Sequence, residues 1–406
     1  MNLINIYDLK PGQIFTAPVY SEGEYLLVPK MVPLREKDIA FLVSSGIEEV
    51  RTEGTILEDG EKMPPAAVKE ETPPVAAKKE ITPAAEVVKE NTVIQKEPIK
   101  FSITDVKQNS GPYRAYKNLI EKLNYVFNEI KTSSDADIHL VDSICDQLIK
   151  DLRDYRDNYI DYILGGEVSG HELAKSSVNT AILSALMAQE FGLTMHKIPN
   201  IVVAALLHDV GMLRLSKGIT EKKGGLSEAE TEQIKSHPLH TSKIIAKELF
   251  GSHDVEVIAL QHHERWDGKG YPNHVNGPEI DIGARIVSVA DAFEAMVSKK
   301  SYRNSLTGYQ ALKNLMADNA RRFDPAVIHV FTKIMGIYPI GSIVELNNSA
   351  IARVISVHTD APMRPVIQLL RDEKGKALDT RNPQTIDLLI VKTLYIKNAI
   401  DPANHK

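Results

Sequence analysis

Leu206–Gly211, LLHDVG, and His262–Pro272, HHERWDGKGYP, are the two stretches that decide the fold and the chemistry of this chain. The first ends an apolar run with the pair His208-Asp209, and the second opens with two adjacent histidines. Seven of the 13 histidines lie between positions 208 and 274. Imidazole and carboxylate ligands together suit a first-row transition metal, and one aspartate can bridge two ions through its two oxygens. The sequence therefore predicts a metal site.

The composition excludes several classes of protein. A net charge of -6 over 406 residues argues against a binder of polymeric nucleic acid, which would carry a basic face. The single cysteine, Cys145, excludes a disulfide framework and fits a reducing compartment. The apolar run Ile201–Leu207 is too short to cross a bilayer, and Met1–Lys10 lacks the pattern of a signal peptide. We therefore expect a cytoplasmic protein without a membrane span.

The chain divides into four segments by composition and periodicity. Residues 1–57 combine short strand-like runs with a helical stretch, which predicts a small α/β module. Residues 58–110 are rich in Pro, Ala, Lys and Glu and cannot bury enough apolar area to fold, so they predict a disordered linker. Residues 111–335 show helical spacing, and residues 336–400 return to strand-like runs with turn signals. The fold class is thus mainly α, with a small β module at the C-terminus.

Apolar residues recur at three- and four-residue spacing through the third segment. This spacing predicts helices over Tyr116–Ile130, Ile138–Ile163, Glu172–Phe191, Lys197–His208, Ser227–Phe250, Val255–His263, Ile282–Ser298 and Thr307–Asn319. In the last segment, strands are predicted over Ser342–Leu346, Ala352–Val357 and Pro365–Leu370.

A buried histidine or aspartate is costly unless it is hydrogen-bonded or coordinates a metal. A structural alternative exists for the first motif, in which His208 is a satisfied core residue and Asp209 caps a helix. That alternative leaves His237, the pair at 262 and 263, and Asp291 unexplained, although Asp291 also closes an apolar run. A common metal site accounts for all of them.

These motifs resemble the HD-GYP family, a branch of the HD superfamily of metal-dependent phosphohydrolases. The resemblance spans about residues 172–325. It is carried by His208-Asp209, Lys235–Pro238, His262–Pro272, Ala290–Ala292, Ser301–Arg303 and Phe323–Pro325. It implies a helical HD-type catalytic domain that holds two divalent metals, iron or manganese most often, with a third in some members. It also implies hydrolysis of the bacterial second messenger cyclic di-GMP to the linear dinucleotide pGpG or to GMP.

The resemblance also implies roles for individual residues. Asp209 is the catalytic carboxylate that bridges two metals. A hydroxide, formed from a water that also bridges the two metals, attacks the phosphorus. His208 and Asp291 complete the coordination of one ion, and His237, His262 and His263 bind the other. Lys300 and Arg303 match basic residues that hold substrate phosphates, with a solvated basic patch as an equal alternative. We interpret the run Gly270-Tyr271-Pro272 first as a structural loop. The resemblance implies that it also contacts partners such as diguanylate cyclases or other signalling domains.

Two positions depart from the family pattern. Met212 stands where a phosphate-binding lysine is usual, and Ser176 stands where the first metal usually gains a histidine. Glu172, one turn earlier, matches a carboxylate that binds a third metal in some members. The leading hypothesis is a cyclic di-GMP phosphodiesterase. Two alternatives stay open: a weakly active or inactive cyclic di-GMP sensor or scaffold, and a hydrolase of another nucleotide phosphoester. The helices before Glu172 are compatible with a homodimer interface or with a cover over the catalytic domain.

Overall fold

The computed structural model describes a folded chain with several gaps. Its described residues are 2–21, 25–28, 33–34, 39, 42, 49–57, 110–132, 137–165, 170–220, 222, 224–298, 306–378 and 383–400. The linker predicted over residues 58–110 therefore lies outside the described residues except for Ser110.

The central part of the chain is helical, as predicted. Its α-helices are α1 Gly111–Thr132, α2 Ile138–Gly165, α3 Glu172–Glu190, α4 Lys197–Leu207, α5 Lys217–Thr220, α6 Glu228–Lys235, α7 His237–Lys247, α8 His253–Gln261, α9 Ile282–Val297, α10 Gly308–Ala317 and α11 Pro325–Met335. A 3-10 helix, Val210–Arg214, follows α4. None of the helices in the described ranges is both long enough and apolar enough to cross a membrane.

Two helices form the centre of this region. Every residue from Ser177 to Ala188 in α3 is buried, and so is every residue from Ile201 in α4 to His208 just beyond it. A helix that is apolar on all sides is stable only when neighbours surround it. Helices α1, α2, α8 and α9 pack around this pair and contribute to the same hydrophobic core. The chain thus delivers His208 to the interior of the molecule.

The helix predicted over Ser227–Phe250 is wrong as a single element. The chain forms α6 and α7 instead, with a break at Ser236 between them. Pro238 lies in the first turn of α7 and has no backbone N–H to donate to the Ile234 carbonyl four residues earlier. That carbonyl instead accepts a hydrogen bond from the His237 ring, Nδ1 to O 2.8 Å. The break therefore leaves a carbonyl oxygen that fixes the orientation of the His237 ring, a candidate metal ligand.

Small antiparallel sheets occupy the two ends of the chain. The N-terminal strands are β1 Asn2–Asn5, β2 Val19–Ser21, β3 Tyr25–Val28 and β4 Glu49–Thr52, in the order β1-β4-β2-β3. The C-terminal strands are β5 Ile343–Leu346, β6 Ile351–Ser356, β7 Val366–Arg371, β8 Thr385–Asp387 and β9 Ile396–Ile400, in the order β8-β7-β6-β5-β9. Buried side chains of both sheets, such as Val50 and Val344, belong to one hydrophobic cluster. The fold class is mainly α with small terminal β modules, as predicted.

Candidate metal centre

The predicted ligands lie at the ends of helices that meet in the core. His208 and Asp209 follow α4, His237 is the first residue of α7, and His262 and His263 follow α8. Ligand atoms of Asp209, His237, His262 and His263 lie within 4.8 Å of one another. Residues separated by more than fifty positions in the sequence thus converge on one small space.

Three of the imidazoles are oriented in the same way. His208, His237 and His262 each donate an Nδ1–H to the carbonyl oxygen three residues earlier, at 2.7, 2.8 and 2.7 Å. This hydrogen bond places the proton of a neutral ring on Nδ1, so Nε2 is left as a lone-pair donor. All three Nε2 atoms point toward the carboxylates of the cluster. This is the arrangement expected of metal-binding histidines.

Asp209 lies between two sets of potential ligands. Its Oδ1 is 3.1 Å from His237 Nε2 and 3.8 Å from His262 Nε2, whereas its Oδ2 is 3.6 Å from His208 Nε2. His208 Nε2 is also 3.6 Å from Asp291 Oδ1. Asp209 precedes the 3-10 helix but makes no side-chain capping bond to it. The helix-cap alternative therefore does not account for this carboxylate, whose two oxygens face different neighbours.

The donor set fits divalent cations. His208 Nε2 is buried and has no hydrogen-bond partner in the described structure. His237 Nε2 and His262 Nε2 lie 3.3 Å apart, and both rings already donate through Nδ1. Two lone pairs at this distance repel each other unless a proton or a cation lies between them. Metal ions would satisfy each of these atoms.

Electrostatics favour the same conclusion. Burial lowers the pKa of His208, but the carboxylates of Asp209 and Asp291 outweigh it and raise that pKa to about 9. Burial acts to raise the pKa of Asp209, yet the surrounding imidazoles hold it well below its usual value. Burial lowers the pKa of His263 to about 4. The carboxylates thus favour positive charge at His208, while His263 stays neutral at neutral pH, and bound cations would supply that positive charge.

Thr241 and Gly211 hold the first motif against α7. The Thr241 hydroxyl donates to the His208 carbonyl oxygen at 2.9 Å and accepts from the Gly211 N–H at 3.0 Å. A β-carbon at position 211 would collide with the His237 carbonyl oxygen and with Thr241. Glycine is therefore required for α7 to approach this closely. The contact sets the spacing between Asp209 and His237.

The Gly270-Tyr271-Pro272 loop covers one face of the cluster. The Tyr271 ring lies against the His263 ring, with centroids 4.8 Å apart. Gly270 has no room for a β-carbon because the backbone of Glu264 and Arg265 lies against it. The buried carboxylate of Glu264 accepts the Asn273 N–H at 2.6 Å and closes the loop on itself. The loop is thus ordered by its own contacts, and it brings an aromatic ring to the metal ligands.

Ser176 takes part in a network that the sequence analysis missed. Its hydroxyl donates to Glu294 Oε2 at 2.6 Å, and Glu294 is fully buried. Asn179 and Ser298 donate to the other oxygen of the same carboxylate, at 3.2 and 2.5 Å. Glu294 follows Asp291 by one helical turn in α9. A glutamate on the buried face of an apolar helix was the available signal, because such a charge requires donors.

The structure does not test the roles of three further predicted residues, Glu172, Lys300 and Arg303. The Glu172 side chain is 66% exposed and forms an ion pair with Lys175 at 3.1 Å. Lys300 and Arg303 fall outside the described residues. Their assignments stay predictions.

Comparison with known proteins agrees with this site. Residues 167–327 match the HD domain family, and residues 343–406 match the KOW domain associated with HD domain. The cyclic di-GMP phosphodiesterase PdeB of Borreliella burgdorferi is 30% identical over 243 residues, which are 60% of this chain and 64% of that protein. The response regulator RpfG of Xanthomonas campestris pv. campestris, a cyclic di-GMP phosphodiesterase, is 38% identical over 36% of this chain and 39% of its own. The 3'3'-cGAMP-specific phosphodiesterase 2 of Vibrio cholerae is 32% identical over 40% of this chain and 32% of its own.

Within the helical region, residues 167–327 match an HD domain, the class that the His-Asp motif and its buried ligands indicate. Within that class, the resemblance to the HD-GYP family is confirmed. The chain spans less than two thirds of the length of each of these relatives.

Proposed function

We propose that this chain is a metal-dependent phosphodiesterase that hydrolyses cyclic di-GMP to pGpG, to GMP or to both. The observation that carries the proposal is the position of Asp209, whose Oδ1 faces His237 and His262 while its Oδ2 faces His208. A carboxylate in this position can bridge two ions. Relatives that are 30 to 38% identical to this chain over the aligned residues are named as phosphodiesterases of cyclic dinucleotides, which supports this substrate class.

The two halves of the centre would hold one ion each. His237, His262 and His263 with Asp209 Oδ1 form one half, and His208 and Asp291 with Asp209 Oδ2 form the other. When bound, the ions would lower the pKa of a water toward neutrality and offset negative charge on the phosphoryl oxygens.

The residues of the chain prepare this chemistry. Asp209 stays ionised at neutral pH because the neighbouring imidazoles hold its pKa well below the usual value. The carbonyl oxygens that accept from Nδ1 fix both the tautomer and the direction of the rings. Tyr271 shields one face of His263 from water. A third ion at Glu172, phosphate contacts from Lys300 and Arg303, and the four-segment division of the chain remain parts of the proposal.

A second candidate is a cyclic di-GMP sensor or scaffold with little or no turnover. Two positions favour it. Ser176 adds no imidazole to the His208 half, because its hydroxyl is bonded to Glu294. Met212 cannot supply the cation usual for its position. Hydrolysis of another cyclic dinucleotide is compatible with the same metal ligands, and the 3'3'-cGAMP-specific relative makes that substrate the natural comparison.

Turnover of the metal-loaded protein distinguishes these candidates. The protein would be purified anaerobically, loaded separately with Fe(II) and Mn(II), and incubated with cyclic di-GMP or 3'3'-cGAMP. Products would be separated by chromatography, and Asp209→Ala is the control. We expect conversion of cyclic di-GMP that is absent from the control. Intact substrate over a metal-loaded site, with measurable nucleotide binding, would support the sensor instead. Faster turnover of 3'3'-cGAMP would replace the proposed substrate.

A further inference from the structure

A cavity of about 190 Å³ lies between the helical region and the C-terminal sheet. The last turn of α2 borders it at Leu164, and the start of α10 borders it from Thr307 to Tyr309. The C-terminal module forms the opposite wall with residues 340–343, Arg353 and Ile400. None of these residues is a proposed metal ligand. Small-molecule sites often lie where two such units of a protein meet.

The C-terminal sheet presents a row of three side chains to this cavity. In the antiparallel register, Ile343 of β5 is opposite Arg353 of β6 on one side and opposite Ile400 of β9 on the other. Directly opposed residues project from the same face of a sheet, so the three side chains lie side by side. The alternating residues Val344 and Val354 point the other way, into the core that the two terminal sheets share. The row therefore lies on the outer face of the sheet, which faces α2 and α10 across the cavity.

Close contacts and backbone bonds fix the walls of the cavity. A β-carbon at Gly308 would lie 3.0 Å from a methyl carbon of Leu164 and 3.2 Å from Pro339, so α10 begins in close contact with both neighbours. The Ser342 carbonyl oxygen accepts the Val354 N–H at 2.9 Å, which holds the entry to β5 against β6. The cavity is thus part of a packed junction between helices and sheet.

A few polar groups border this otherwise apolar cavity. Ser342 is only 7% exposed, and its hydroxyl has no hydrogen-bond partner among the described residues. The Thr307 hydroxyl caps α10 by accepting the Gln310 N–H at 3.3 Å, and it keeps its own proton to donate. The N-terminus of α10 carries partial positive charge, and Arg353 adds a full one. Because a guanidinium has five N–H groups, it can serve a ligand in addition to a protein partner, and these groups together favour an anion.

We propose that this cavity binds a small carboxylate anion with an apolar body. The carboxylate would be met by Ser342, Arg353 and the start of α10. The body would lie among the apolar lining residues, Leu164, Ile340, Ile343 and Ile400. A cavity of about 150 Å³ with an aliphatic lining holds benzene, so one of about 190 Å³ suits an acid of the size of benzoate. Such binding requires no turnover of a cyclic dinucleotide, so it can be tested whether or not the proposed function is correct.

Benzoate and benzyl alcohol test the site on the metal-loaded full chain, because the two ligands share a ring and differ in charge. By calorimetry, we expect one benzoate per chain, bound at least about tenfold more tightly than benzyl alcohol, the size of a charged hydrogen bond. Arg353→Gln should weaken benzoate binding about tenfold and should leave that of benzyl alcohol within about twofold. No saturable binding of benzoate, or equal affinity for the two ligands, would overturn the proposal.

A further variant separates this cavity from the metal centre, where a carboxylate could also bind. Asp209→Ala should bind benzoate within about twofold of the parent, because the cavity shares no residue with the proposed metal ligands. Loss of benzoate binding in Asp209→Ala would place the ligand on the metals and overturn the proposal.

Ile400→Trp locates the ligand, with Ile390→Trp as the matched control. The larger side chain at position 400 would fill the cavity, whereas Ile390 is 77% exposed and does not line it. We expect Ile400→Trp to abolish benzoate binding and Ile390→Trp to keep it within about twofold of the parent. Equal behaviour of the two variants would contradict the assignment.

Methyl NMR of the parent chain decides the position of the ligand even if Ile400→Trp fails to fold. The benzoate ring should shift the isoleucine methyl signals of Ile340, Ile343 and Ile400, which line the cavity, and should leave that of Ile286 in α9 unchanged. Unchanged signals from the three lining isoleucines at saturating benzoate would contradict the assignment.

Discussion

The two halves of the metal centre are built unequally. The His237 half presents three imidazoles and Asp209 Oδ1 within 4.8 Å, whereas the His208 half presents one imidazole and the carboxylates of Asp209 and Asp291. At the place where a third ligand would enter the second half, Ser176 is bonded to Glu294. Where the resemblance to the HD-GYP family implies a histidine ligand, the hydroxyl of Ser176 is instead held by a buried carboxylate. We therefore expect two ions of unequal affinity.

Removal of a ligand from the stronger half should have the largest effect. His237→Ala should abolish hydrolysis, because it removes an imidazole ligand and not only a group that orients one. Loss of an outer hydrogen-bond partner alone lowers metal affinity or activity by roughly 10- to 100-fold, and the loss here should be larger. Metal analysis and cyclic di-GMP turnover would be measured on the same sample. His240→Ala is the matched control, since it removes a half-buried histidine from the same helix. Equal loss in both variants would contradict the ligand assignment.

Loss of Glu294 should damage the fold around the weaker half. Glu294→Ala would leave the donors of Ser176, Asn179 and Ser298 without their acceptor in a buried space. We expect the free energy of unfolding to fall by about 3 kcal/mol, as several unsatisfied buried groups imply. Urea unfolding measures it, and Ser298→Ala should cost less because it removes one donor only. A negligible effect of Glu294→Ala on the free energy of unfolding would show that this network does not stabilise the fold.

A histidine at position 176 should make the halves more alike. In Ser176→His, the new ring would have Glu294 beside it as an acceptor for one ring N–H, the usual outer partner of a metal-binding histidine. We expect the weaker ion to bind about tenfold more tightly, a change of about 1.4 kcal/mol. Competition with a chelator under anaerobic conditions measures this affinity, and Ser176→Ala is the control. An unchanged affinity in Ser176→His would mean that Ser176 does not face the ion.

The smallest effect on activity is expected from a change at Met212, the position where the resemblance implies a lysine. Met212→Lys adds a cation within the 3-10 helix that follows Asp209 and should raise turnover of cyclic di-GMP several-fold, through better binding of the substrate phosphate. Steady-state kinetics of the metal-loaded protein tests this. A neutral variant of similar length, Met212→Gln, should leave turnover close to that of the parent.

The apolar helices could be predicted from the sequence because their signal is local. Helix α4 was predicted over Lys197–His208 and is observed over Lys197–Leu207, and α3 agrees within one residue. The break before His237 was missed because helical spacing continues through it. Strands β1, β8 and β9 were missed as well. They are short, and their pairing partners, rather than their own residues, determine that they are strands.

The residues of the site also divide into those with a local sequence signal and those that only tertiary contacts reveal. His208, His262 and His263 could be predicted because each lies at the end of an apolar helical run, where burial requires a ligand or a partner. His237 lay inside a single predicted helix, so its role was indicated by the family resemblance and not by a helix end. The bond between Ser176 and Glu294 joins residues 118 positions apart. The buried glutamate has a local signal, but the identity of its donors does not. Tertiary contacts alone show which polar groups are paired.

We propose that Asp209 bridges two ions of unequal affinity, and anaerobic titration with Mn(II) is the most direct test of this bridge. Bound metal would be followed by electron paramagnetic resonance and counted by elemental analysis, in the parent and in Asp209→Ala. We expect two ions per chain in two separated binding steps in the parent, and loss of both in Asp209→Ala. One ion retained at parental affinity by Asp209→Ala would contradict the bridge.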